Sequence, residues 1–215
     1  MGPASEAIAQ ADRVDGRSLR SVRNREAVVD ATLDLLREGQ LKPRAADIAR
    51  RADVSVRTVF RLFEDLDQMF AAAADSQARR TSHLFLAPAP SGSRRVRVRA
   101  LAEHRATLYE EIGPVRRAAL RSQPLDGVLK RRMAGADRLL RQQLAATFRE
   151  ELDAVGAGRR ATLGAGLEVL TSFSAWANLR DDQRLSVTRS REVVAATLLA
   201  LLADADTPVP AARAR

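Results

Sequence analysis

Residues 46–63 constrain the fold more than any other stretch of this 215-residue chain. They read Ala-Asp-Ile-Ala-Arg-Arg-Ala-Asp-Val-Ser-Val-Arg-Thr-Val-Phe-Arg-Leu-Phe. The pattern is two short helices joined by a tight turn, with Ile48, Ala49, Val54, Val59 and Phe63 available for a shared core. Ala49 is small enough to let the two helices cross closely, Val54 plugs the turn, and the Ser55 hydroxyl can cap the second helix. Asp53 stands where such a turn calls for a positive φ, which glycine adopts most readily and aspartate tolerates. The segment therefore reads as a helix-turn-helix. A recognition helix of this kind turns its N-terminal, outward side chains toward base edges in a major groove. Here those are Val56, Arg57, Thr58 and Arg61. Arg57 matches the paired acceptors of a guanine, and Val56 or the Thr58 methyl matches a thymine methyl. The same residues also suit the solvated face of a short amphipathic helix, so the motif alone leaves both readings open.

Hydrophobic spacing predicts helices over 21–38, 45–52, 55–63, 65–85, 94–111, 114–121, 125–153, 158–180 and 186–203. That makes an all-α chain of about nine helices with no sheet; Val96-Arg97-Val98-Arg99 is the one brief alternation. Gly39 is a natural stop for the first helix. Ala87-Pro88-Ala89-Pro90-Ser91-Gly92-Ser93 is the clearest loop, and Gly113-Pro114, Pro124 and Gly156/Gly158 mark further breaks. Residues 1–20 have no sustained apolar period and read as a flexible arm, and 206–215 as a flexible tail.

No cysteine is present, which excludes a disulfide framework, a thiolate nucleophile and a Cys-ligated zinc site. His83 and His104 are too far apart for paired metal ligands, so no metal and no cofactor are expected. No phosphate-binding glycine loop or nucleophile elbow selects an enzyme; an all-α enzyme is the weak alternative. No apolar run is long enough to span a bilayer and no secretion signal is visible, which reads as a soluble cytoplasmic protein. The net charge is +9. Residues 1–70 are neutral, while residues 81–150 hold 14 basic against 6 acidic side chains. Charge alone would place a polyanion site in the middle of the chain. Arg94, Arg95, Arg97 and Arg99, with Arg116, Arg117, Arg131 and Arg132, either line an entrance for an anionic ligand such as an acyl-CoA or are solvated helix faces with some Glu partners, including Glu103, Glu110 and Glu111.

Residues 25–70 resemble the DNA-binding domain of the TetR family of bacterial transcriptional regulators. The landmarks are Arg25-x-x-Val28-Val29-x-Ala31, Leu35-Leu36-x-x-Gly39, and Ile48-Ala49-x-x-Ala52-Asp53-Val54-Ser55-x-x-Thr58-x-Phe60-x-x-Phe63, ending at Met69. The resemblance implies a helix-turn-helix domain over 21–66 and a helical ligand-binding and dimerisation domain over 67–205. It implies that Thr58 and Phe60 meet the DNA backbone while the residues after Ser55 reach bases. Three positions depart from the family's pattern. Phe60 replaces the usual tyrosine, Leu66 replaces a phosphate-approaching lysine, and Pro43-Arg44 stands where Thr or Ser usually caps the second helix. Arg44 can itself reach a phosphate, and Arg20 and Arg23 can add contacts.

By the same resemblance the last two long helices pair with their counterparts in a second protomer. Leu163, Leu167 and Leu170 make one apolar stripe and Val194, Leu198 and Leu201 another, with Gly164 and Gly166 allowing close approach. Such stripes are either a dimer interface or the internal core of a monomer. A small-molecule effector is implied, with Phe85, Leu101, His104, Leu108, Tyr109, Phe148, Phe173 and Trp176 as candidate pocket wall or plain core. The implied function is a homodimeric, ligand-responsive repressor on a palindromic operator in double-stranded DNA. The alternative is a nonspecific DNA binder or helical interaction protein without an operator.

Overall fold

The first long helix stops just before a glycine for a reason visible in the backbone. Gly39 has φ of 89°, and the amides of Gly39 and Gln40 bond back to the carbonyls of Leu36 and Leu35. This is the paired capping that a left-handed residue makes possible at a helix end. The computed structural model describes residues 3–121 and 127–205. Ten α-helices run through them: α1 Pro3–Arg37, α2 Ala45–Arg51, α3 Val56–Leu62, α4 Leu66–Phe85, α5 Arg94–Arg121, α6 Gly127–Thr147, α7 Arg149–Asp153, α8 Ala157–Leu170, α9 Phe173–Ala177 and α10 Val187–Ala205. A π-helical turn, Asn178–Asp182, follows α9, and no strand occurs among the described residues.

The boundaries differ from the sequence expectation in four places. Residues 3–20, read as an arm, continue α1 as helix; the alanine-rich stretch there has helical propensity without needing an apolar stripe. Pro114 does not end a helix, and α5 runs through it. An interior proline costs about 3 kcal/mol, and here the turns on either side are held by buried Leu108, Tyr109 and Ile112 before it and Ala118 after it. The single helix expected over 125–153 breaks at Phe148, whose ring is fully buried while Arg97 donates to the Thr147 carbonyl. The helix expected over 158–180 breaks at Thr171, and Ser172 caps α9 by accepting from the Ala175 amide at 3.1 Å. The alternating Val96–Arg99 stretch is helical. The expected break at Pro124 and the expected tail at 206–215 lie outside the described residues.

The described residues fall into two compact units, 3–80 with 114–121, and 81–113 with 127–205. The first is built on Val28, Leu33, Ile48, Ala49, Val59, Phe63 and Met69, all at most 3% exposed. The second is built on Leu101, Leu108, Tyr109, Phe148, Leu167, Trp176, Leu198 and Leu202. Within it α8 lies close against α10: a Cβ at Gly166 would meet Leu201 Cδ2 at 3.1 Å. No helix is long and apolar enough to cross a membrane among the described residues.

Candidate nucleic-acid interface

The turn between α2 and α3 takes the shape its residues dictate. Asp53 has φ of 52°, the Val54 amide bonds the Ala49 carbonyl at 3.0 Å, and half-buried Val54 closes the turn against the core. Ser55 Oγ then accepts from the Thr58 amide at 3.0 Å and lies 2.9 Å from Thr58 Oγ1. An N-cap of this kind stabilises a helix by about 1 kcal/mol, a large share for a helix of only seven residues. Val59 and Phe63 face inward at 1% exposure.

The outward face carries what the sequence placed there. Val56 is 41% and Phe60 49% exposed, and Arg57 and Arg61 are exposed. Two large apolar side chains left in water one turn apart on a short helix mark a surface meant to be covered. Among the described residues Arg44, Arg57 and Arg61 form no ion pair, whereas Arg50 is tied to Asp47 at 2.6 Å and Arg51 to Glu38 at 2.8 Å. Arg44 is the N-cap residue of α2 and supplies no side-chain cap. Arg61 shares a shallow cleft of about 520 Å³ with Arg20, Ser21, Asn24 and Leu62. Leu66 packs onto the core of the first unit, so its replacement of a lysine puts an apolar contact where a charge would be.

Sequence reasoning overlooked Arg25 as a positioning residue. Its guanidinium donates to the Leu62 carbonyl at 2.8 Å and sits 4.2 Å over the Phe63 ring, so α1 grips the C-terminal end of α3. The signal was present in the spacing: Arg25, though exposed, precedes the buried Val28 and Val29 by one helical turn.

The second unit brings the candidate effector residues together as one apolar cluster. Leu101, Leu108, Tyr109, Phe148 and Trp176 are at most 2% exposed and Phe173 5%, while Phe85 is half-buried. Tyr109 meets Phe173 edge-on at 5.6 Å. The polar tips have protein partners: Tyr109 Oη donates to the Thr171 carbonyl at 2.7 Å, and Trp176 Nε1 to Glu110 at 2.8 Å. His104 Nε2 lies 2.7 Å from the Leu84 carbonyl and Nδ1 lies 2.9 Å from an Arg105 donor, so the ring is neutral with Nε2 protonated. Burial presses the His104 pKa below its usual value.

Two features of this unit bear on the alternatives the sequence left open. Leu163, Leu167, Val194 and Leu198 are not an exposed stripe: all four are at most 5% exposed within a single chain, and Leu170 and Leu201 are half-buried. The close approach that Gly166 permits is between α8 and α10 of the same chain. The dense arginines of α5 also divide. Arg94 and Arg97 bond the buried Glu151 of α7 at 3.0 and 2.7 Å, while Arg95 and Arg99 face solvent. Glu151 was not among the glutamates singled out in the sequence, and Arg97 also pairs with Glu150; Glu103 pairs with Arg191 and Glu110 with Arg180. Arg131 is exposed, and the side chain of Arg132 lies outside the described residues. Among the described residues no group of His, Asp and Glu side chains is placed to hold a metal.

Three solved structures with a similar arrangement of helices are described as transcriptional regulators. A transcriptional regulator from Rhodococcus sp. Rha1 matches at TM-score 0.61 and 20% identity, over 86% of this chain and 99% of that one. A TetR-family regulator from Streptomyces coelicolor matches at TM-score 0.63 and 18% identity, over 85% and 81%. The chain has the TetR-type fold. A third match, described as a putative TetR-family regulator from Mesorhizobium loti, has TM-score 0.54 and 17% identity over 86% of this chain and 98% of that one. No protein-family model and no curated protein sequence matches the chain. The TetR-type fold thus occurs here at 17–20% sequence identity to those structures.

Proposed function

We propose that this chain is a sequence-specific DNA-binding transcriptional regulator, acting as a homodimeric, effector-responsive repressor on a palindromic operator. The observation that carries the reading is the outer face of α3. A capped helix within a TetR-type fold presents Val56, Arg57, Phe60 and Arg61 to solvent, with both arginines unpaired among the described residues. In the major groove, Arg57 bonds a guanine edge, Val56 and the Thr58 methyl touch thymine methyls, and Arg44 and Arg61 neutralise phosphates. Phe60, lacking a hydroxyl, packs against sugar rather than bonding phosphate.

Dimerisation uses the outer faces of α8 and α10, not their inner stripes. Val169 is 65% exposed, and Ala161, Ala165, Ala196 and Ala200 are exposed on the same two helices, small enough for helices to meet closely. Two-fold symmetry then calls for two half-sites about one DNA turn apart. An effector favouring the state that does not bind DNA by roughly 3 kcal/mol weakens operator affinity about 150-fold. Val169→Asp should give folded monomers by light scattering, and a dimer that survives it removes this face from the interface.

Selection of duplexes from a random pool by the purified chain at about 150 mM salt tests the reading. A two-fold symmetric motif is expected. Binding that enriches no motif and vanishes as salt rises would overturn it in favour of a nonspecific DNA binder.

A further inference from the structure

One buried arginine of α5 has no carboxylate partner among the described residues. Arg105 lies on the buried stripe of that helix, a turn from Leu101 on one side and from Leu108 and Tyr109 on the other, and it is 1% exposed. A guanidinium keeps its charge in proteins, and burying it is costly unless a carboxylate faces it. Arg97, two turns earlier, meets that requirement through Glu151. Arg105 does not. Every acceptor it has is neutral: Gln143 Oε1 at 2.6 Å, the Leu140 carbonyl at 3.1 Å and His104 Nδ1 at 2.9 Å. Its buried Nε–H has no acceptor at all. Burial pushes its pKa below the usual arginine value, with Tyr109 acting the other way. Gln143 is itself fixed, its amide nitrogen donating to the Ala87 carbonyl at 2.8 Å.

We propose that the interior of the second unit takes an anionic effector, a monocarboxylate on an apolar body, whose carboxylate pairs with Arg105. The proposal deepens the regulator reading and rests on it for calling the ligand an effector. The ligand class follows from the surroundings. The guanidinium fork matches a planar carboxylate with two parallel bonds. One cation balances one negative charge, so a phosphate dianion would bring uncompensated charge beside Leu101 and Leu108, both fully buried. Those neighbours and Tyr109 instead suit a hydrocarbon or aromatic body. The carboxylate lies along the edge formed by the unmatched Nε–H and an Nη2–H, while Nη1 stays bonded to Gln143 and His104. The hydrogen-bond network around Arg105 ends on the carbonyls of Leu84 and Ala87, at the C-terminal end of α4, which links that stretch of chain to the site.

Thermal unfolding of the full chain with matched ligand pairs is the test: octanoate with octanamide, benzoate with benzamide, and phenylacetate with phenylacetamide. At least one carboxylate should raise the Tm by several degrees while its amide twin does not. Arg105→Met should abolish the shift, and Arg105→Lys should keep part of it. Equal shifts for acid and amide, no shift with any acid, or a shift that survives Arg105→Met would each overturn the proposal. The acid–amide comparison needs only the wild-type chain, so it decides even if a variant does not fold. A selected operator without a carboxylate effect defeats this proposal alone. An Arg105-dependent carboxylate effect without an operator leaves the site standing and defeats the regulator reading.

Discussion

Helix α3 carries Arg57 and Arg61, and the first six residues of α5 carry Arg94, Arg95, Arg97 and Arg99. By charge density the second set is the stronger candidate for a polyanion, and it lies in the segment that supplies most of the +9. The structure separates them by partners instead. The helical period sends Arg94 and Arg97 inward to Glu151 and leaves only Arg95 and Arg99 in water. On α3 both arginines stay outward and unpaired, flanked by exposed Val56 and Phe60. Four arginines close in sequence are thus not one patch, whereas two on a short capped helix are. Net charge says that an anion is attracted; side-chain direction and pairing say where it can be held.

The largest way to sharpen this contrast is Glu151→Gln. It leaves Arg97, buried at 7% exposure, without its main counter-charge. Breaking one side of a buried pair costs about 3–5 kcal/mol, which lowers the Tm by roughly 10 °C in a domain of this size. Circular dichroism melting should show that drop, with operator affinity of the folded fraction unchanged. Burial alone would raise the Glu151 carboxyl, but the bonds from Arg97 and Arg94 outweigh it and hold its pKa below the usual value. The pair's stabilisation is therefore present above about pH 4.5, the ordinary glutamate range, and disappears as pH falls through the lower folded value. Acid unfolding should begin at higher pH in the variant.

Arg57→Ala acts on the other region. It should cost about 1–3 kcal/mol at the operator and relax preference at one base pair per half-site, with no change in Tm. A uniform loss across sequences in competition binding would reassign Arg57 to a phosphate. Ser55→Ala should cost about 1 kcal/mol by removing the cap of α3; urea unfolding measures it, and a null result would mean that Arg25 alone secures the helix. The smallest effect is at His104, whose neutral ring accepts from Arg105. Its pKa is lowered by burial first, so the unfolded chain binds the proton more readily and stability falls as pH drops below about 6.5. His104→Gln, which can keep a donor and an acceptor in place, should flatten that slope in melts between about pH 7 and pH 5.

The helix-turn-helix was legible residue by residue, because its requirements are local. A capping serine, a residue tolerant of positive φ at 53 and apolar residues at turn spacing are properties of a dozen adjacent positions, and the structure places each accordingly. The outcome for α8 and α10 was less legible. An apolar stripe states that a face is buried without stating against what, and Leu163, Leu167, Val194 and Leu198 are buried within their own chain. The helix breaks at Phe148 and Thr171 were hidden for a related reason. They depend on long-range partners, Arg97 at the Thr147 carbonyl and Tyr109 at the Thr171 carbonyl. Arg25 and Arg105 could have been singled out as charges on apolar stripes, but which was clamped and which left without a counter-ion needed three dimensions.

The most direct test of the central claim compares Arg57→Ala/Arg61→Ala with Arg95→Ala/Arg99→Ala on the selected operator, as salt is varied. The account predicts that the α3 pair loses base preference and lowers the salt slope by about one per phosphate contact removed, while the α5 pair leaves both unchanged. Loss of binding in the α5 variant with the α3 variant intact would contradict it.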